Sequence, residues 1–446
     1  MSTQQAASGT ELKRNLSRMD LVSMAVGQII GAGIMAMTGT AIGMTGRSVN
    51  IAFIIAGILC VMTAIPQIMV GGTARFKGGQ YTQVATLGSQ RLAGIFTMIN
   101  VFTGLGIAMY IISFTEYLLA LVPNVPSKLV SVVVLTILFA MNILGTKQAA
   151  ALQTAMCVVM AAAIALFIAF GVTKVQPGYF APPDFMTKGA TGILMASAYL
   201  SFAAGGAQCV INFSGEAKKP TVDIPFAIIV PTISISVIYA IMGTIAAGVL
   251  PVADVANKSL ALVAEAIMPK PVYVFFIVGG AMFALLTTLN ASIGWMCRPI
   301  LQAAKDGWLP RVFSKLHPKF ATPVNILLLF YLIGIVPILA GLDISIVSNS
   351  TVILSSATKA ITCFTAMFLP RVMPEFWSKS KFHVDKGLLT FFSVLGAAVA
   401  TFQVVLLVVT SSTAEIVGNL VILGISVLYA LVRNSKVTME ISYEGC

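Results

Sequence analysis

Twelve apolar runs follow one another along this chain, and each is long enough to cross a lipid bilayer. A membrane-spanning helix needs about 20 predominantly apolar residues, and its backbone must satisfy its hydrogen bonds within the helix. The runs lie at 20–44, 49–73, 91–122, 127–145, 149–173, 190–216, 225–250, 271–303, 323–341, 346–371, 387–410 and 414–434. The sequence therefore predicts an all-α integral membrane protein with twelve transmembrane helices.

The composition excludes several other protein classes. Hydrophobic residues make up 58% of the 446 residues and charged residues only 9%, whereas a soluble domain carries about 25% charged residues. A soluble enzyme, a disordered protein and a nucleic-acid-binding protein are therefore excluded. The six cysteines are scattered singly, without a CxxC or Cys/His cluster, so we expect no metal site, no disulfide framework and no cofactor.

The basic residues favour one orientation in the membrane. When the N-terminus is placed inside, 20 of the 27 Lys and Arg residues fall in inside segments, 6 fall outside and one, Lys359, lies within a span. Cytoplasmic segments of membrane proteins carry an excess of Lys and Arg. We therefore expect a multi-pass protein of the cytoplasmic (plasma or inner) membrane, with cytoplasmic tails at 1–19 and 435–446.

Glycine clusters interrupt two of the apolar runs. The first run contains Gly27-Gln28-Ile29-Ile30-Gly31-Ala32-Gly33-Ile34, and the sixth contains Ser201-Phe202-Ala203-Ala204-Gly205-Gly206-Ala207-Gln208. Glycine also permits close helix packing, which is a sufficient explanation for either cluster alone. Together they occupy the same position in two five-helix halves, 20–173 and 190–371, and a repeated unit with an odd number of spans must be inverted. Paired interrupted helices in inverted repeats point to the substrate site of a transporter.

An interrupted helix in the middle of a membrane has a specific chemistry. The freed N–H groups at the start of a half-helix attract an anion such as a carboxylate. The freed carbonyl groups attract an ammonium group. A zwitterionic amino acid carries both ions, so it satisfies the interruption without a charged side chain from the protein.

Four sequence elements resemble those of one transporter family. They are Leu12-Lys13-Arg14-Asn15-Leu16 with Asp20-Leu21-Val22 and the first glycine cluster; Gly78-Gly79-Gln80-Tyr81; Gly215-Glu216-Ala217-Lys218-Lys219-Pro220 with Ile224-Pro225; and Arg298 with Ala304-Lys305-Asp306-Gly307-Trp308-Leu309-Pro310 and Thr322-Pro323. In this order they resemble the amino acid–polyamine–organocation transporters. The last four runs carry no comparable element, and 387–434 are interpreted as helices 11 and 12, outside the repeat.

The resemblance implies a leucine-transporter-like fold, a 5+5 inverted repeat with broken helices 1 and 6 that works by alternating access around a central amino acid. By motif position, residues at the two breaks would bind the substrate. The carboxylate partners would be Gly31, Ala32 and Gly33, the ammonium partners Ile29, Ser201 and Gly205, and the residues along the side-chain end Tyr110 and Asn290. The aromatic gate would be Phe202 in preference to Tyr199.

Two positions bear on the charge of the substrate. Family members that exchange arginine or putrescine carry a glutamate just after the sixth-helix break, whereas this chain has Gln208. Glu116, near the outer end of the third run, is either a structural residue or an anion that attracts a cationic substrate. The amide at position 208 therefore favours a neutral substrate.

Other positions bear on ion coupling. Proton-coupled members place a lysine midway along the fifth helix, where this chain has the uncharged Met160. Thr287 and Thr288 either bond their own backbone or offer hydroxyls to a sodium ion beside the first-helix carbonyls. A charge within the membrane is a functional candidate by default, so Lys359 contacts the substrate, replaces a coupling ion or stabilises the interior.

The sequence thus predicts a secondary transporter and not an enzyme, with no catalytic residue. It would move a small amino acid, neutral or otherwise zwitterionic, as an exchanger, and an amino acid/amine (polyamine) antiporter is the alternative within the family. A channel would need a continuous polar stripe, and a membrane-embedded enzyme would need clustered acids, histidines or cysteines, which the runs lack. The expected partners are the amino acid and membrane lipids, with a homodimer as an open option and no nucleic acid.

Overall fold

The computed structural model describes residues 12–31, 33–342, 344–440 and 443–445, and this part of the chain is mostly helical. The α-helices are α1 Arg18–Ile29, α2 Thr38–Thr45, α3 Val49–Thr73, α4 Gln80–Leu87, α5 Gln90–Phe102, α6 Gly106–Leu121, α7 Ser127–Leu144, α8 Thr146–Val172, α9 Gly189–Ala203, α10 Pro220–Gly248, α11 Val252–Val255, α12 Leu260–Ile267, α13 Lys270–Phe275, α14 Phe283–Lys305, α15 Val324–Ala340, α16 Ile344–Ala366, α17 Leu369–Val372, α18 Pro374–Lys379, α19 Lys386–Thr410 and α20 Thr413–Arg433. The π-helical turns are Gly33–Met37 and Phe276–Met282, and the 3₁₀ turns are Thr103–Leu105, Ala207–Phe213, Arg311–Ser314 and Asn434–Lys436. The two short strands are β1 Arg75–Phe76 and β2 Tyr443–Glu444.

Nine helical stretches of the described residues are long and apolar enough to cross a membrane. They are Val49–Thr73, Gln90–Leu119, Ser127–Leu144, Thr146–Val172, Gly189–Phe213, Pro220–Gly248, Lys270–Lys305, Lys386–Val405 and Thr413–Lys436. The bent pair Arg18–Met35 and Thr38–Thr45 adds a tenth when it is counted as one span. The predicted all-α, multi-pass architecture is therefore confirmed.

Two predicted spans form helices of less pronounced membrane character. α15 has only 17 residues, and α16, with 23 residues, carries Lys359 and a series of Ser and Thr side chains. Both helices lie where the sequence predicts the ninth and tenth spans. Nine or ten of the described helices thus meet the criteria of length and apolarity, and the total of twelve stays a prediction.

Small residues allow the helices of the two predicted halves to pack closely. A Cβ atom on Gly57 of α3 would lie 2.5 Å from the Ser236 side chain of α10, and one on Gly243 of α10 would lie 2.8 Å from the Phe53 ring of α3. Such small residues let helix backbones approach in a membrane, where no hydrophobic force drives helices together. α1 lies among α8, α10 and α14, so helices of both predicted halves pack around it.

Both ends of the described chain meet on one face of the helix bundle, which we call the terminal face. Leu16 pairs in parallel with Ala217, its N–H donating to the Glu216 carbonyl at 3.1 Å. β2 pairs antiparallel with β1, Arg75 opposite Glu444 and Phe76 opposite Tyr443. The terminal face is therefore defined by the segment around Leu16, the Glu216–Ala217 turn and the β1–β2 pair.

Candidate functional site

The first glycine cluster interrupts a helix. α1 ends at Ile29, and Ile30 is extended, with φ −80° and ψ 96°. A π-helical turn begins at Gly33, and the direction of the chain changes by 56° between Arg18–Met35 and α2. Ala32, predicted to bind the substrate carboxylate, lies outside the described residues. Its neighbours Gly31 and Gly33 frame the bend.

The second glycine cluster also ends a regular helix. α9 stops at Ala203, and 3₁₀ geometry continues over Ala207–Phe213. Gly206, between them, has φ +125°, a conformation that favours glycine because it has no Cβ. The Gly206 N–H donates to the side-chain oxygen of Gln208 at 3.3 Å. The amide at the position where some family members carry a glutamate thus satisfies a backbone group of the break.

The two interruptions touch each other. A Cβ atom on Gly33 would lie 2.7 Å from the Cβ of Ala203, and one on Gly206 would lie 3.1 Å from the carbonyl oxygen of Gln28. Two segments 170 residues apart therefore meet backbone to backbone.

The carbonyl groups of the first break are held by hydroxyls from two other helices. The Tyr239 hydroxyl of α10 donates to the Ile29 carbonyl at 3.2 Å. The Thr288 hydroxyl of α14 lies 2.7 Å from the Gly27 carbonyl and 3.3 Å from that of Ile30. The carbonyl of Ile29, a predicted ammonium partner, thus accepts a hydrogen bond from a hydroxyl. Tyr239, which donates it, is a candidate site residue that sequence reasoning missed. The one available signal was a tyrosine in the middle of an apolar run, since a buried hydroxyl needs a partner.

The two threonines predicted as possible sodium ligands lie beside these carbonyls. Both hydroxyls contact the Ala284 carbonyl at 2.9 Å. A Cβ atom on Gly31 would lie 2.7 Å from the Thr288 hydroxyl oxygen, so α14 closely supports the first break. The carbonyl oxygens of Gly27, Ile30 and Ala284 thus lie near the hydroxyl oxygens of the two threonines. The Thr288 hydroxyl already contacts all three of these carbonyls.

The sixth-helix residues predicted to meet the substrate differ in their surroundings. The Ser201 carbonyl accepts from the Cys60 thiol of α3 at 3.1 Å, and its hydroxyl donates to the Ala198 carbonyl at 2.7 Å. A Cβ atom on Gly205 would lie 3.8 Å from the same Cys60 sulfur. Cys60 therefore lies directly behind the second break and constrains its backbone.

The predicted aromatic residues have different surroundings. Phe202 is 39% exposed. Tyr199 of α9 is partly buried against the apolar cluster that contains Ile29 and Ile30. Tyr110 of α6 is partly buried against a different apolar cluster.

Asn290 is directed away from the breaks. Its amide nitrogen donates to the Ala149 carbonyl at 3.1 Å and to Gln153 at 2.8 Å, and its oxygen accepts from Asn142 at 2.9 Å. Gln153 in turn donates to the Ser23 carbonyl at 3.3 Å. This buried polar network joins α7, α8, α14 and α1. Since α1, α8 and α14 also surround the first break, Asn290 positions these helices.

Lys359 of α16 lies one helical turn after Ser356, and Ser356 belongs to a series of hydrogen bonds that reaches the second break. Ser356 of α16 donates to Gln403 of α19 at 3.4 Å, and Gln403 donates to the Ser201 hydroxyl at 3.4 Å. Lys359 is partly buried and lies on the same helix as this connection. Glu116 lies on an exposed part of α6.

Three ion pairs tie the helices together at the terminal face. Glu216 and Arg298, from two of the family-like elements, lie 2.6 Å apart with side chains only 2% and 6% exposed, and Thr146 contacts both at 2.6 and 2.9 Å. The other two pairs are Asp20–Lys147 at 2.6 Å and Arg18–Asp223 at 2.7 Å. The start of α1 is thus bound to α8 and α10, and the end of the interrupted helix is bound to α14.

Among the described residues, no group of three or more His, Cys, Asp or Glu side chains is arranged to hold a metal ion. The five described cysteines are free and buried. The chemical groups that meet at the two interruptions are backbone amides, carbonyls and hydroxyls. They can bind and orient a small zwitterion, and they contain no nucleophile paired with a base.

Comparison with known proteins gives a consistent result. The family described as "Amino acid permease" matches residues 16–430. The branched-chain amino acid permease BcaP of Bacillus subtilis (strain 168) is 27% identical over 354 residues, covering 71% of this chain and 73% of that protein. The methylthioribose transporter of the same bacterium is 26% identical over 332 residues, with 70% and 72% covered. Cationic amino acid transporter 9, chloroplastic, of Arabidopsis thaliana is 25% identical over 344 residues, with 70% and 59% covered.

The match extends over nearly the whole membrane region, including both interrupted helices and the ion pairs at the terminal face. The family consists of permeases, so the interpretation as a transporter and not an enzyme agrees with it. The chain belongs to the amino acid permease family, which confirms the predicted relationship to the amino acid–polyamine–organocation transporters.

Proposed function

We propose that this protein exchanges small neutral or otherwise zwitterionic amino acids across the cytoplasmic membrane by alternating access. The observation that carries the proposal is the contact between the two interrupted helices at Gly33 and Ala203. A substrate at this contact would meet freed N–H groups on one side and freed carbonyls on the other. Its carboxylate and ammonium groups match those backbone dipoles without a charged side chain.

The side chain of Gln208 favours a substrate without a net positive charge. Its side-chain oxygen accepts from the Gly206 N–H, and a neutral amide gives no full negative charge to hold a second cation. The name of the branched-chain permease is consistent with a neutral amino acid, whereas methylthioribose has no ammonium or carboxylate to match both poles of the site. We therefore favour a neutral amino acid over a cationic one or an uncharged sugar.

A cationic amino acid or a polyamine is the second candidate. It is supported by the names of the Arabidopsis relatives and by Glu116, whose carboxylate lies on an exposed part of α6. Lys359, on the helix that Ser356 and Gln403 connect to the second break, opposes it, because a lysine near the substrate path would repel a second cation on the substrate. This candidate would make the protein an amino acid/amine antiporter.

The proposed membrane arrangement extends the observed one. Twelve helices, with inverted repeats at 20–173 and 190–371, would place the terminal face in the cytoplasm. The ion pairs Glu216–Arg298, Asp20–Lys147 and Arg18–Asp223 would then hold the cytoplasmic side closed. Opening toward the cytoplasm would require these pairs to separate, while α2 and α9 would move for opening toward the outside.

Exchange is proposed because the residues at the breaks do not require a coupling ion. The Thr288 hydroxyl already contacts the Gly27 and Ile30 carbonyls, which would otherwise attract a cation. A sodium ion could replace that hydroxyl contact and use the oxygens around Thr287, Thr288 and Ala284. Sodium dependence therefore distinguishes a coupled transporter from the exchanger that we propose.

Uptake into liposomes tests the proposal. Purified protein is reconstituted with or without an internal pool of unlabelled leucine and alanine, and uptake of labelled leucine, alanine, serine, glutamate, arginine, putrescine and methylthioribose is measured with and without sodium and a pH gradient. We expect uptake of a neutral amino acid that requires internal substrate and no ion gradient. Uptake confined to arginine or putrescine would favour the antiporter instead, and uptake of methylthioribose alone would contradict the zwitterion argument.

A further inference from the structure

A strongly basic cavity lies on the terminal face, apart from the two interrupted helices. It has a volume of about 140 Å³ and lies between the N-terminal segment, β1, the turn before α10 and the end of α14. Its lining residues are Leu12, Arg14, Arg75, Lys77, Gly215, Arg298, Leu301, Gln302, Lys305 and Glu440. Five of these ten residues are cationic and only one is anionic.

Acidic side chains of the described residues face part of this positive charge. Glu216 lies 2.6 Å from Arg298, and Glu440 is itself a lining residue. The carboxylate of Glu444 on β2 contacts Arg14, Arg75 and Lys77. Among the described residues that line or contact the cavity in this way, five cations thus stand against three acids. Like charges held close together are unfavourable unless an anion compensates them.

Arg75 is the residue that most clearly indicates a ligand. It is only 6% exposed, and its Nε atom is buried without a hydrogen-bond partner. One terminal nitrogen donates to the Ala217 carbonyl at 3.3 Å, and the other lies 3.6 Å from Glu444. A buried donor at a charged group with no acceptor costs free energy, and an oxyanion in the cavity would provide that acceptor.

Glu444 shows that three of the cations lining this cavity together bind a carboxylate. Its carboxylate lies 2.7 Å from Lys77, 3.0 Å from Arg14 and 3.6 Å from Arg75. The hydrogen bond from Lys77 lowers the pKa of Glu444 below its ordinary value, so the carboxylate is charged in this position. Glu444 is thus an anion supplied by the protein itself.

The segment that carries Glu444 is held mainly by side-chain contacts. The chain from α20 onward is anchored by Arg433 on the Gly307 carbonyl at 3.0 Å and by the Thr438 N–H on the Asp306 carbonyl at 3.1 Å. β2 pairs with β1 over only two residues, the Tyr443 ring packs against Phe76 and Phe376, and Glu444 contacts three cations. Because so short a strand pair is marginal by itself, loss of the Glu444 contacts would weaken the hold on β2 without disturbing the anchored part.

We propose that this cavity is a binding site for a phosphate group and that Glu444 covers it as an internal competitor. A phosphate group carries more charge and more acceptor oxygens than the single carboxylate that now contacts these cations. Arginine forks bind phosphate oxygens in pairs, and Arg14 and Arg75 provide two such forks. Phosphate binding would displace Glu444, release β2 from β1 and give the Arg75 Nε an acceptor.

Two kinds of molecule would bring a phosphate group to this cavity. One is the headgroup of an anionic phospholipid, since the cytoplasmic leaflet is anionic and attracts basic segments near the membrane surface. The other is a phosphate ester or phosphate ion in solution. The cavity chemistry is shared by both, and the experiment separates them.

The test uses a spin label on Cys446, two residues beyond Glu444. The other five cysteines are buried, so a nitroxide reagent should label Cys446 selectively in the folded protein. Inorganic phosphate is titrated into protein in a phosphate-free detergent, with chloride at equal ionic strength as the reference. In parallel, the protein is placed in nanodiscs of phosphatidylcholine with or without phosphatidic acid.

We expect the mobile fraction of the spectrum to rise with phosphate, with phosphatidic acid or with both. A response to phosphate alone assigns a soluble ligand, and a response to phosphatidic acid alone assigns a lipid. Lys77→Gln should weaken the response about tenfold, the loss expected for one charge-assisted hydrogen bond. Glu444→Gln should strengthen it about threefold, because the exposed ion pairs of the competitor are weak.

Arg371→Gln is the matched control, since Arg371 is an exposed arginine of α17 that does not line the cavity. It removes the same charge and should leave the response unchanged. The proposal is overturned if neither ligand mobilises the label, or if Lys77→Gln and Arg371→Gln weaken the response equally. Since the readout is binding and not transport, a different transport substrate would leave this result intact.

Discussion

Gly33 and Ala203 bring the two interrupted helices into direct contact. A Cβ atom on Gly33 would lie 2.7 Å from the Cβ and 2.9 Å from the Cα of Ala203. The atoms it would meet belong to the backbone and to the shortest side chain, so they cannot turn aside as the end of a long side chain can. A larger residue at either position must separate the half-helices that form the proposed site.

Gly33→Val should therefore strongly reduce transport while the protein still folds. Overpacking of a close contact costs about 1–3 kcal/mol, so we expect uptake of the preferred amino acid to fall about tenfold or more. Gly418→Val is the matched control, because a Cβ atom on Gly418 of α20 meets nothing within 4 Å. Uptake into liposomes and elution from a size-exclusion column are measured for both. Normal uptake by Gly33→Val would remove this contact from the site.

Tyr239→Phe should destabilise the protein more without substrate than with substrate bound. The substitution leaves the Ile29 carbonyl without its hydroxyl donor, at a cost of about 1–3 kcal/mol for a buried unsatisfied group. A substrate ammonium that takes over this carbonyl would recover the loss. We therefore expect a lower melting temperature without substrate and a larger stabilisation by substrate than in the parent protein.

Tyr331→Phe provides the comparison for Tyr239→Phe. Its hydroxyl contacts Thr136 at 2.9 Å in an exposed position between α7 and α15, away from both breaks. Its removal should leave the substrate-induced stabilisation unchanged. Equal behaviour of the two variants would mean that Ile29 does not meet the substrate.

Glu216 and Arg298 should behave as a coupled pair. Removing one partner of a buried ion pair leaves an uncompensated charge and costs about 3–5 kcal/mol. We expect Glu216→Gln and Arg298→Gln each to lower the melting temperature strongly and the double variant to recover much of the loss. The exposed pair Arg14–Glu444 serves as the control cycle, with coupling of about 1 kcal/mol or less. Additive effects of Glu216→Gln and Arg298→Gln would contradict the coupling.

Sequence reasoning located the elements of the site better than their contacts. The glycine clusters lie where the regular helices α1 and α9 end, and they can be found in the sequence because glycine lacks a Cβ. The family-like elements contained Glu216 and Arg298, but their ion pair depends on how α14 packs beside the end of the sixth run. The contact of Tyr239 with Ile29 and the turn of Asn290 toward α7 and α8 depend on helix rotation. A long apolar run does not define that rotation, because most of its faces are equally hydrophobic.

Acidification should release the segment that carries Glu444. Its pKa is lowered by the hydrogen bond from Lys77, with Arg14 and Arg75 also contributing. A carboxylate with a lowered pKa stabilises the docked form above its ordinary pKa, and this contribution is lost as the pH falls through the lowered value. We expect the label on Cys446 to become mobile as the pH falls below about 4.5. In Glu444→Gln the mobility should be higher at neutral pH and should lose this pH dependence. A transition that persists in Glu444→Gln would assign it to another group.

Lys359→Met should change which substrates are accepted. Lys359 lies on α16, which Ser356 and Gln403 connect to the Ser201 hydroxyl at the second break. Removing a screened repulsion of about 1 kcal/mol would raise the uptake of a cationic amino acid about fivefold. The ratio of arginine uptake to leucine uptake should therefore increase in this variant. Lys379→Met, outside the membrane-spanning helices, removes the same charge and should leave the ratio unchanged. An unchanged ratio in Lys359→Met would instead assign Lys359 a structural role in α16, where Ser356 and Gln403 already connect the helix to the break.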